Sequence, residues 1–465
     1  MASAYVLWLI LPRLTTSEII GISSTVISLT IILSTVVDLG VSTGSSRFLG
    51  RSFSHRTGDT KILVNASFLI TFASILVSNI VILSFKDWIF PTIGSDLINI
   101  SILLIDTSVI YNLLRSILVA SLDSKSLPIA MFLGSICKIA LTIILILIGT
   151  GAIGITIGYL IGYISAAVLL SFALVTILTS IKQDTTLRLY DACRNILIAG
   201  VPSLVPKVIG ILGTNLGTVL VFGMQGAGQA GSYFIAFSIF YAIAAIRDSL
   251  FGVAFAVLSA MDDQRKTLVS NLTKMSLIIT IPVCSIVYLY SDDVMGLFGH
   301  QYIESSLALK IMLLSMLPSM FASGIISLVY AYGDYWKVLA IGIGLNLSRV
   351  ILYIILVPLY GNTGAAISLA LGSLVGFAVS VIIAKKIRML IFWRQLALLF
   401  TIPTVLALAL DYFNVSPIIG VPAILIPSVV LFFILKILTK SDVRAMLDLL
   451  PSSIGKHLLG ILDKL

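Results

Sequence analysis

Residues 152–180 read AIGITIGYLIGYISAAVLLSFALVTILTS, a run of 29 residues without one charged side chain. A helix of this length rises by about 44 Å, more than the ~30 Å of hydrocarbon in a bilayer. The stretch therefore predicts a transmembrane helix. Runs of the same kind recur along the chain, so they set the class of the whole protein.

Apolar runs of about 20 residues follow one another almost without pause. We predict fourteen helices, near residues 1–11, 19–45, 62–85, 97–121, 127–149, 152–180, 196–222, 229–258, 267–291, 306–331, 336–357, 363–384, 395–411 and 417–438. The first run is too short to span, and we expect a stretch of helix to be missing before it. A signal peptide is a poor interpretation, because no basic segment or small-residue cleavage site precedes Arg13.

The composition agrees with a polytopic all-α membrane protein. The 465 residues are 59% hydrophobic and 11% charged, and the mean hydropathy is +1.14. A soluble domain is about 45–50% apolar and about 25% charged, so a soluble chain of this composition could not cover its own surface. The three cysteines and three histidines show no metal-ligand spacing, and no metal or other cofactor is predicted.

Lysine and arginine outside the spans divide unequally between the two sets of alternate connections. One set holds only Arg13 and Lys86. The other set and the tail hold 20, namely Arg47, Arg51, Arg56, Lys61, Lys125, Lys182, Arg188, Arg194, Arg265, Lys266, Lys337, Lys385, Lys386, Arg388, Arg394, Lys436, Lys440, Arg444, Lys456 and Lys464. Because cytoplasmic connections carry this excess, we predict that the second set and the C-terminus are cytoplasmic. The net charge of +9 then reflects topology and anionic lipid headgroups, and no nucleic-acid partner is expected.

The chain resembles itself at a shift of 210 or 211 residues. The matched pairs are collinear: Gly21 with Gly231, Asp38 with Asp248, Asp123 with Asp334, Lys138 with Arg349, Gly154 with Gly364 and Gly162 with Gly372. Six spans separate matched points, so the two copies have the same orientation in the membrane. The repeat predicts two parallel six-helix lobes with a cavity between them, followed by two extra helices.

The predicted boundaries are residues 1–195 for the N-terminal lobe, 196–390 for the C-terminal lobe, 391–440 for the two additional transmembrane helices and 441–465 for a tail. In the tail, apolar residues such as Leu447, Leu450, Ile454 and Leu458 recur at helical spacing between charged residues. This pattern is typical of an amphipathic helix on the cytoplasmic membrane surface.

Ionisable residues inside spans are the candidate functional groups, because each costs a few kcal/mol to insert and normally faces a cavity or a partner. The cations are Arg115, Lys138, Lys207, Arg247 and Arg349, and the acids are Asp38, Asp106 and Asp248. Two interpretations stay open. The charges could pair structurally, for example Arg247 with Asp248 or Asp38 with a nearby cation. The cations could instead line a lumen that receives an anionic group such as phosphate or pyrophosphate.

No constellation of catalytic residues is present in the sequence. The segment Gly223-Met-Gln-Gly-Ala-Gly228 lacks the Lys-Ser/Thr of a phosphate-binding loop, so ATP does not drive the chain directly. The longest outer connection, about 292–305, is too short for a separate catalytic domain. The chain is therefore predicted not to be an enzyme.

Three stretches resemble a known family. They are Pro12-Arg-Leu-Thr-Thr-Ser-Glu18-Ile-Ile-Gly21, then Val37-Asp38-Leu-Gly-Val-Ser-Thr43 with Arg47-Phe-Leu49, and Pro358-Leu-Tyr-Gly361-Asn-Thr-Gly364-Ala-Ala-Ile-Ser368. The first two resemble the opening of the polysaccharide (oligosaccharide) flippase family. The third is similar to the start of that family's twelfth helix. The family belongs to the multidrug/oligosaccharidyl-lipid/polysaccharide (MOP) exporter superfamily, and by motif only Asp38 and Arg47 carry over as family positions.

The resemblance implies two six-helix lobes plus two extra helices, similar to MATE transporters, working by alternating access. It implies a lipid-linked oligosaccharide on a polyprenyl- or dolichyl-type (pyro)phosphate carrier, flipped from the cytoplasmic to the outer leaflet. The purpose would be surface polysaccharide export or protein glycosylation. Coupling to a proton or sodium gradient is plausible, with Asp38 and Asp248 as candidate carriers.

The expected setting is a multi-pass monomer in the plasma membrane, among membrane lipids and glycan-assembly proteins. Three alternatives are kept. A MATE-type drug/cation antiporter should have a lumen dominated by acids, whereas cations dominate here. A polytopic glycan-assembly enzyme should have longer outer loops. A scaffold or regulator without transport activity is the third.

Overall fold

The computed structural model describes residues 2–55, 59–86, 94–123, 125–179, 187–261 and 263–437. Within these ranges the chain forms helices and turns, without any strand. The helices are α1 (Ala2–Ile10), α2 (Ser17–Val37), α3 (Val41–His55), α4 (Thr60–Ser84), α5 (Ser95–Ala120), α6 (Ser126–Leu147), α7 (Gly151–Thr179), α8 (Leu189–Gln225), α9 (Ala227–Ala260), α10 (Arg265–Leu289), α11 (Ser291–Gly296), α12 (Ser306–Leu314), α13 (Met316–Ala331), α14 (Tyr335–Lys386), α15 (Trp393–Tyr412) and α16 (Pro417–Ile434). Short 3-10 turns lie at Leu11–Arg13 and His300–Ser305. The predicted all-α class is confirmed.

The predicted multi-pass character is also confirmed, although the count of fourteen helices is not. Among the described residues, eleven helices are long and apolar enough to cross a membrane, or twelve if the bent pair His300–Leu314 and Met316–Ala331 is one span. Helix α1 has only 9 residues. Helix α14 is a run of 52 residues in which Gly361 has the non-helical angles φ 55° and ψ −129°. It therefore contains two predicted spans, 336–357 and 363–384, joined at this glycine.

Many hydroxyl side chains in these apolar helices donate to a backbone carbonyl of the preceding helical turn. Ser23 donates to the carbonyl of Ile19 at 2.8 Å, and Thr273 donates to the carbonyl of Val269 at 2.8 Å. A bond to the preceding turn keeps the hydroxyl inside its own helix, as lipid requires. The serine-rich composition is therefore compatible with membrane spans.

A close approach of two glycines connects the end of α2 to α8. Gly40 follows α2 with a φ of 76°. A methyl group built on Gly40 would lie 2.2 Å from the carbonyl oxygen of Gly200, and one built on Gly200 would lie 2.4 Å from that of Gly40. Only residues without a Cβ atom allow backbones to approach so closely. The segment Val37–Thr43 is thus held directly against α8.

A second close approach joins α2 to the start of α9. A methyl group on Gly21 would lie 1.8 Å from the carbonyl oxygen of Ala227, and one on Gly231 would lie 1.9 Å from that of Ser17. Gly21 and Gly231 are also the first matched pair of the internal repeat. The close approach of the two helices therefore explains why both matched positions are glycine.

Local geometry repeats at other matched positions. Leu122 and Gly333 both have positive φ, 59° and 75°. Asp123 then accepts from the backbone N–H of Ser126 at 3.1 Å, as Asp334 does from that of Lys337 at 3.3 Å. Hydrogen bonds from the side chains of Ser126 and Lys337, with a smaller contribution from these backbone bonds, hold the pKa of both carboxyls below the usual value. The two connections are built alike, which agrees with the internal repeat.

The chain divides into two compact units. One comprises Met1–Ile235 with Arg349–Ala365, and the other comprises Ala236–Ser348 with Ala366–Leu465. In the first, Leu113 and Ile117 of α5 pack with Leu170 of α7 in an apolar core. In the second, Leu328 of α13 packs with Ile383 of α14. The predicted lobe boundaries stay a prediction, and the predicted tail, 441–465, lies outside the described residues.

Candidate functional site: a cationic cavity in the first unit

Asp38 and Lys207 form an ion pair within the first unit. Asp38 directly follows α2 and is only 4% exposed, and its Oδ2 accepts from Nζ of Lys207 at 2.9 Å. Oδ1 accepts from the backbone N–H of Ser42 at 3.2 Å and also from the Ser42 hydroxyl. Structural pairing, one of the two interpretations left open by the sequence, therefore applies to these two residues.

We expect Asp38 and Lys207 to stabilise the folded protein only while both charges are present. Lys207→Met should lower the free energy of unfolding by about 1–3 kcal/mol, because it leaves a buried carboxylate without its cation. Water reaches the 38% exposed lysine, which places the loss toward the lower end of this range. The double variant Asp38→Asn/Lys207→Met should recover most of the loss, since neither charge remains.

Denaturant unfolding of the purified protein in detergent measures both variants. If the double variant were as unstable as Lys207→Met, or less stable, the lost contact would be one of packing and the charge argument would fail.

Four further predicted residues are Arg247, Asp248, Arg349 and Arg47. Nε of Arg247 donates to Oδ1 of Asp248 at 2.8 Å, between adjacent residues of α9 in the second unit. Arg349, in α14, belongs to the first unit and is 5% exposed. Arg47, on α3, is exposed. None of these residues lines the cavity described next.

Arg115 and Lys138 line one cavity of about 230 Å³ within the first unit. Helices α5, α6 and α7 supply the whole lining: Tyr111, Asn112, Arg115, Met131, Gly134, Ser135, Lys138, Tyr159, Gly162, Tyr163 and Ala166. This lining contains two cations and no acid. The structure thus brings together two of the five cations that the sequence singled out.

Small residues make room for this cavity. Helix α7 packs against both α5 and α6. On its surface, a methyl group at Gly162 would lie 2.7 Å from Cβ of Lys138 and 3.1 Å from the carbonyl oxygen of Gly134. The stem of Lys138 therefore rests directly on the backbone of α7, as small-residue helix contacts allow. Its ammonium group reaches Tyr159, with Nζ 4.7 Å from the ring centroid.

Three tyrosines complete the lining, and the sequence reasoning missed them. The rings of Tyr111 and Tyr163 are 5.2 Å apart between centroids, and Tyr159 also contacts Trp8, at 6.1 Å. A signal was available: Tyr111 precedes Arg115 by four residues, and Tyr159 precedes Tyr163 by four, so each pair shares a helix face. Composition alone did not separate these tyrosines from ordinary core aromatics.

The chemistry of the cavity is that of an anion site with aromatic walls. A guanidinium presents paired donors that match a phosphate, and an ammonium adds a mobile second charge. The ring of Tyr159 faces Lys138 in cation–π geometry and keeps the ammonium in place. In an apolar setting such charges act strongly on an incoming anion.

Comparison with known proteins agrees with this fold. The sequence pattern of a family described as "Polysaccharide biosynthesis protein" matches residues 10–307. The comparison with curated protein sequences gives no match. The structure of the lipid II flippase MurJ in an inward closed conformation aligns with a TM-score of 0.75 at 16% identity, over 93% of this chain and 97% of that chain.

Two transporter structures are also similar. An inward-facing multidrug resistance MATE family transporter of the MOP superfamily aligns with a TM-score of 0.67 at 19% identity, over 84% of this chain and 94% of that chain. A MOP superfamily transporter from Pyrococcus furiosus, whose binding pocket is described as having reverse polarity, has a TM-score of 0.58 at 18% identity, over 83% and 91% of the two chains. At these identities the likeness shows the fold.

Proposed function

Because the chain belongs to the polysaccharide biosynthesis protein family, we propose that it is a flippase for lipid-linked oligosaccharides. It would carry a glycan on a polyprenyl- or dolichyl-(pyro)phosphate carrier from the cytoplasmic to the outer leaflet by alternating access. The translocated glycan would be used for surface polysaccharide export or protein glycosylation. The flippase named among the similar structures is in keeping with this proposal.

The observation that carries the proposal is the cavity lined by Arg115 and Lys138. Both cations lie on membrane-length helices, where an ionisable residue is costly to insert and is therefore a candidate functional group. The part of every lipid-linked glycan that such a site recognises is its phosphate or pyrophosphate. Each charge-assisted hydrogen bond to that group is worth about 1.5–3 kcal/mol.

The size of the cavity limits what it binds. Its volume of about 230 Å³ is below the ~300–1,000 Å³ typical of pockets that enclose drug-sized ligands. It has room for a phosphate or pyrophosphate group and too little for an oligosaccharide. We therefore assign it as the headgroup subsite, with the sugar chain accommodated elsewhere.

The charge of the cavity separates the proposal from a MATE-type drug/cation antiporter. A cationic drug would be repelled by two cations in an apolar setting, with no carboxylate among the lining residues to attract it. The proposal also assigns the protein to the plasma membrane, with its C-terminus in the cytoplasm, as a monomer working beside glycan-assembly proteins. A glycan-assembly enzyme remains an outcome of the test below.

The proposal is tested by reconstituting the purified protein in liposomes that contain a short lipid-linked oligosaccharide with a pyrophosphate carrier. We expect glycan from the inner leaflet to become accessible to an added outer glycosidase within minutes, in a protein-dependent way. In cells, deletion of the gene should trap lipid-linked glycan on the cytoplasmic face.

The same liposomes distinguish the alternatives. A cationic dye that is expelled from them, with no movement of glycan, would establish an antiporter. A change in the mass of the glycan lipid would establish an enzyme. Either result would overturn the flippase proposal.

A further inference from the structure

Asp106 is a predicted membrane acid that the proposed function does not use and that has no cationic partner in the described structure. It lies near the middle of α5, and its Oδ2 accepts from Nδ2 of Asn79 on α4 at 2.9 Å. Two oxygens of the pair, Oδ1 of Asp106 and Oδ1 of Asn79, are buried and make no hydrogen bond within the described structure. Both are acceptors when the carboxyl is ionised, so neither can satisfy the other.

The surroundings of the pair are apolar. One helical turn to either side of Asn79 lie Ile75 and Ile82, and one turn to either side of Asp106 lie Ile102 and Val109. These four residues belong to one buried cluster, which also contains Val37 of α2 and Ile98 and Ile105 of α5. An ionised carboxylate with a single neutral donor is strongly disfavoured in such a place, whereas a neutral acid is accepted.

No cation of the described residues pairs with the Asp106 carboxyl. On α5 and the helices packed against it, the charged and titratable groups that could face Asp106 are Glu18, Asp38, Arg47, Arg51, His55, Lys61, Asp96, Tyr111, Arg115, Cys137, Lys138, Tyr159 and Tyr163. In the described part of the chain, none of them forms an ion pair or hydrogen bond with Asp106. Arg115, on the same helix, is nine residues further on, a rise of about 13.5 Å.

We propose that Asp106 and Asn79 form a proton-binding site inside the membrane, in which Asp106 is a neutral carboxylic acid at pH 7. A proton from solvent binds Oδ1 of the carboxylate, and the resulting O–H donates to Oδ1 of Asn79. One proton then satisfies both orphaned oxygens and completes a two-bonded acid–amide pair. On release the proton returns to water and the carboxylate is left with one donor. Neither Asp38 nor Asp248 offers this arrangement, because each already has a cationic partner.

A proton fits the site better than a metal cation. Hard cations take several oxygen ligands, and here only two oxygens are available. Among the described residues no group of three potential metal ligands occurs.

Infrared difference spectroscopy on the full chain in lipid nanodiscs tests the site. Wild type minus Asp106→Asn at pH 7 should show the C=O stretching band of one carboxylic acid per chain, shifted to lower frequency in D₂O. The matched control is Asp123→Asn, which should show loss of a carboxylate band instead, because hydrogen bonds from Ser126 hold the pKa of that half-buried carboxyl below its usual value. Asn79→Leu should move the Asp106 band to higher frequency, since its hydrogen-bond acceptor is gone.

Two results would overturn the site. Loss of a carboxylate band in Asp106→Asn at pH 7 would show that the group is ionised. Disappearance of the carboxylic-acid band when sodium chloride replaces choline chloride would show a sodium site. Neither reading depends on glycan transport, so the proton site and the flippase proposal stand or fall separately.

Discussion

Arg115→Gln/Lys138→Gln should abolish movement of the lipid-linked oligosaccharide in liposomes while leaving the amount and thermal stability of the protein unchanged. The two cations contribute about 3–6 kcal/mol of charge-assisted hydrogen bonding to a phosphate headgroup. At about 1.4 kcal/mol per factor of ten, the initial rate should fall by roughly 10²- to 10⁴-fold. Stability should hold, because neither cation is part of an ion pair in the described structure.

A control variant carries the same change of net charge. Lys385→Gln/Lys386→Gln removes two exposed cations from the end of α14, away from the cavity lining. Its rate should stay within about twofold of the wild type, since exposed charges contribute little to local binding. Equal losses in both double variants would mean that overall charge matters, and the cavity would lose its assigned role.

Arginine is expected to be less replaceable than lysine in this cavity. Arg115→Lys keeps the charge and loses the paired donors, so the rate should fall by about tenfold, the value of one weaker hydrogen bond. Lys138→Arg should be tolerated better, although it changes the contact with Tyr159. Full activity of Arg115→Lys would show that any cation suffices.

Gly40→Ala should be the most destabilising single methyl addition among the glycines with positive φ. The methyl group would lie 2.2 Å from the carbonyl oxygen of Gly200, and the backbone of α8 would have to move. Overpacking of this kind costs about 1–3 kcal/mol, with the upper end expected against a backbone atom. A further ~1–2 kcal/mol comes from placing an L side chain at a φ of 76°.

The control for backbone strain is Gly333→Ala. Gly333 has nearly the same φ, 75°, and no atom within 4 Å of the added methyl group. Its loss of unfolding free energy, measured in the same detergent, therefore reports the strain alone. The difference between the two variants measures the contact with Gly200, and equal values would contradict a close backbone approach as the cause.

The sequence predicted the helices well because lipid leaves the backbone no other partner than itself. Every apolar run long enough to cross had to be helical, so a count of residues was sufficient. It predicted the break at residues 358–362 as an interval between two spans, and Gly361 is where the helical angles fail. The number of spans differed from the prediction at three places: the short α1, the broken α14 and the bent pair His300–Leu314 and Met316–Ala331.

The pairing of charges could not be predicted in the same way. Asp38 and Lys207 are 169 residues apart, and only the approach of α8 to the end of α2 brings them to 2.9 Å. Pairing of Asp38 with a nearby cation was one of two interpretations that the sequence left open, and the sequence did not identify the cation. Asn79 was not predicted as a site residue, because an amide in an apolar helix carries no charge.

What the residues determined by themselves is the polytopic helical class, the repeat and a surplus of cations inside the spans. Those properties depend on local chemistry: the hydrophobicity of each run and the cost of each buried charge. What the tertiary structure decided is that Arg115 and Lys138 share a cavity, that Lys207 belongs to Asp38, and that Asp106 meets Asn79. Close contacts between small residues, Gly40 with Gly200 and Gly134 with Gly162, lie beside the first two of these pairs. The physical reason is that lipid is as apolar as these helices, so hydrophobicity does not favour one helix contact over another. The shapes of the side chains therefore decide which helix faces pack together.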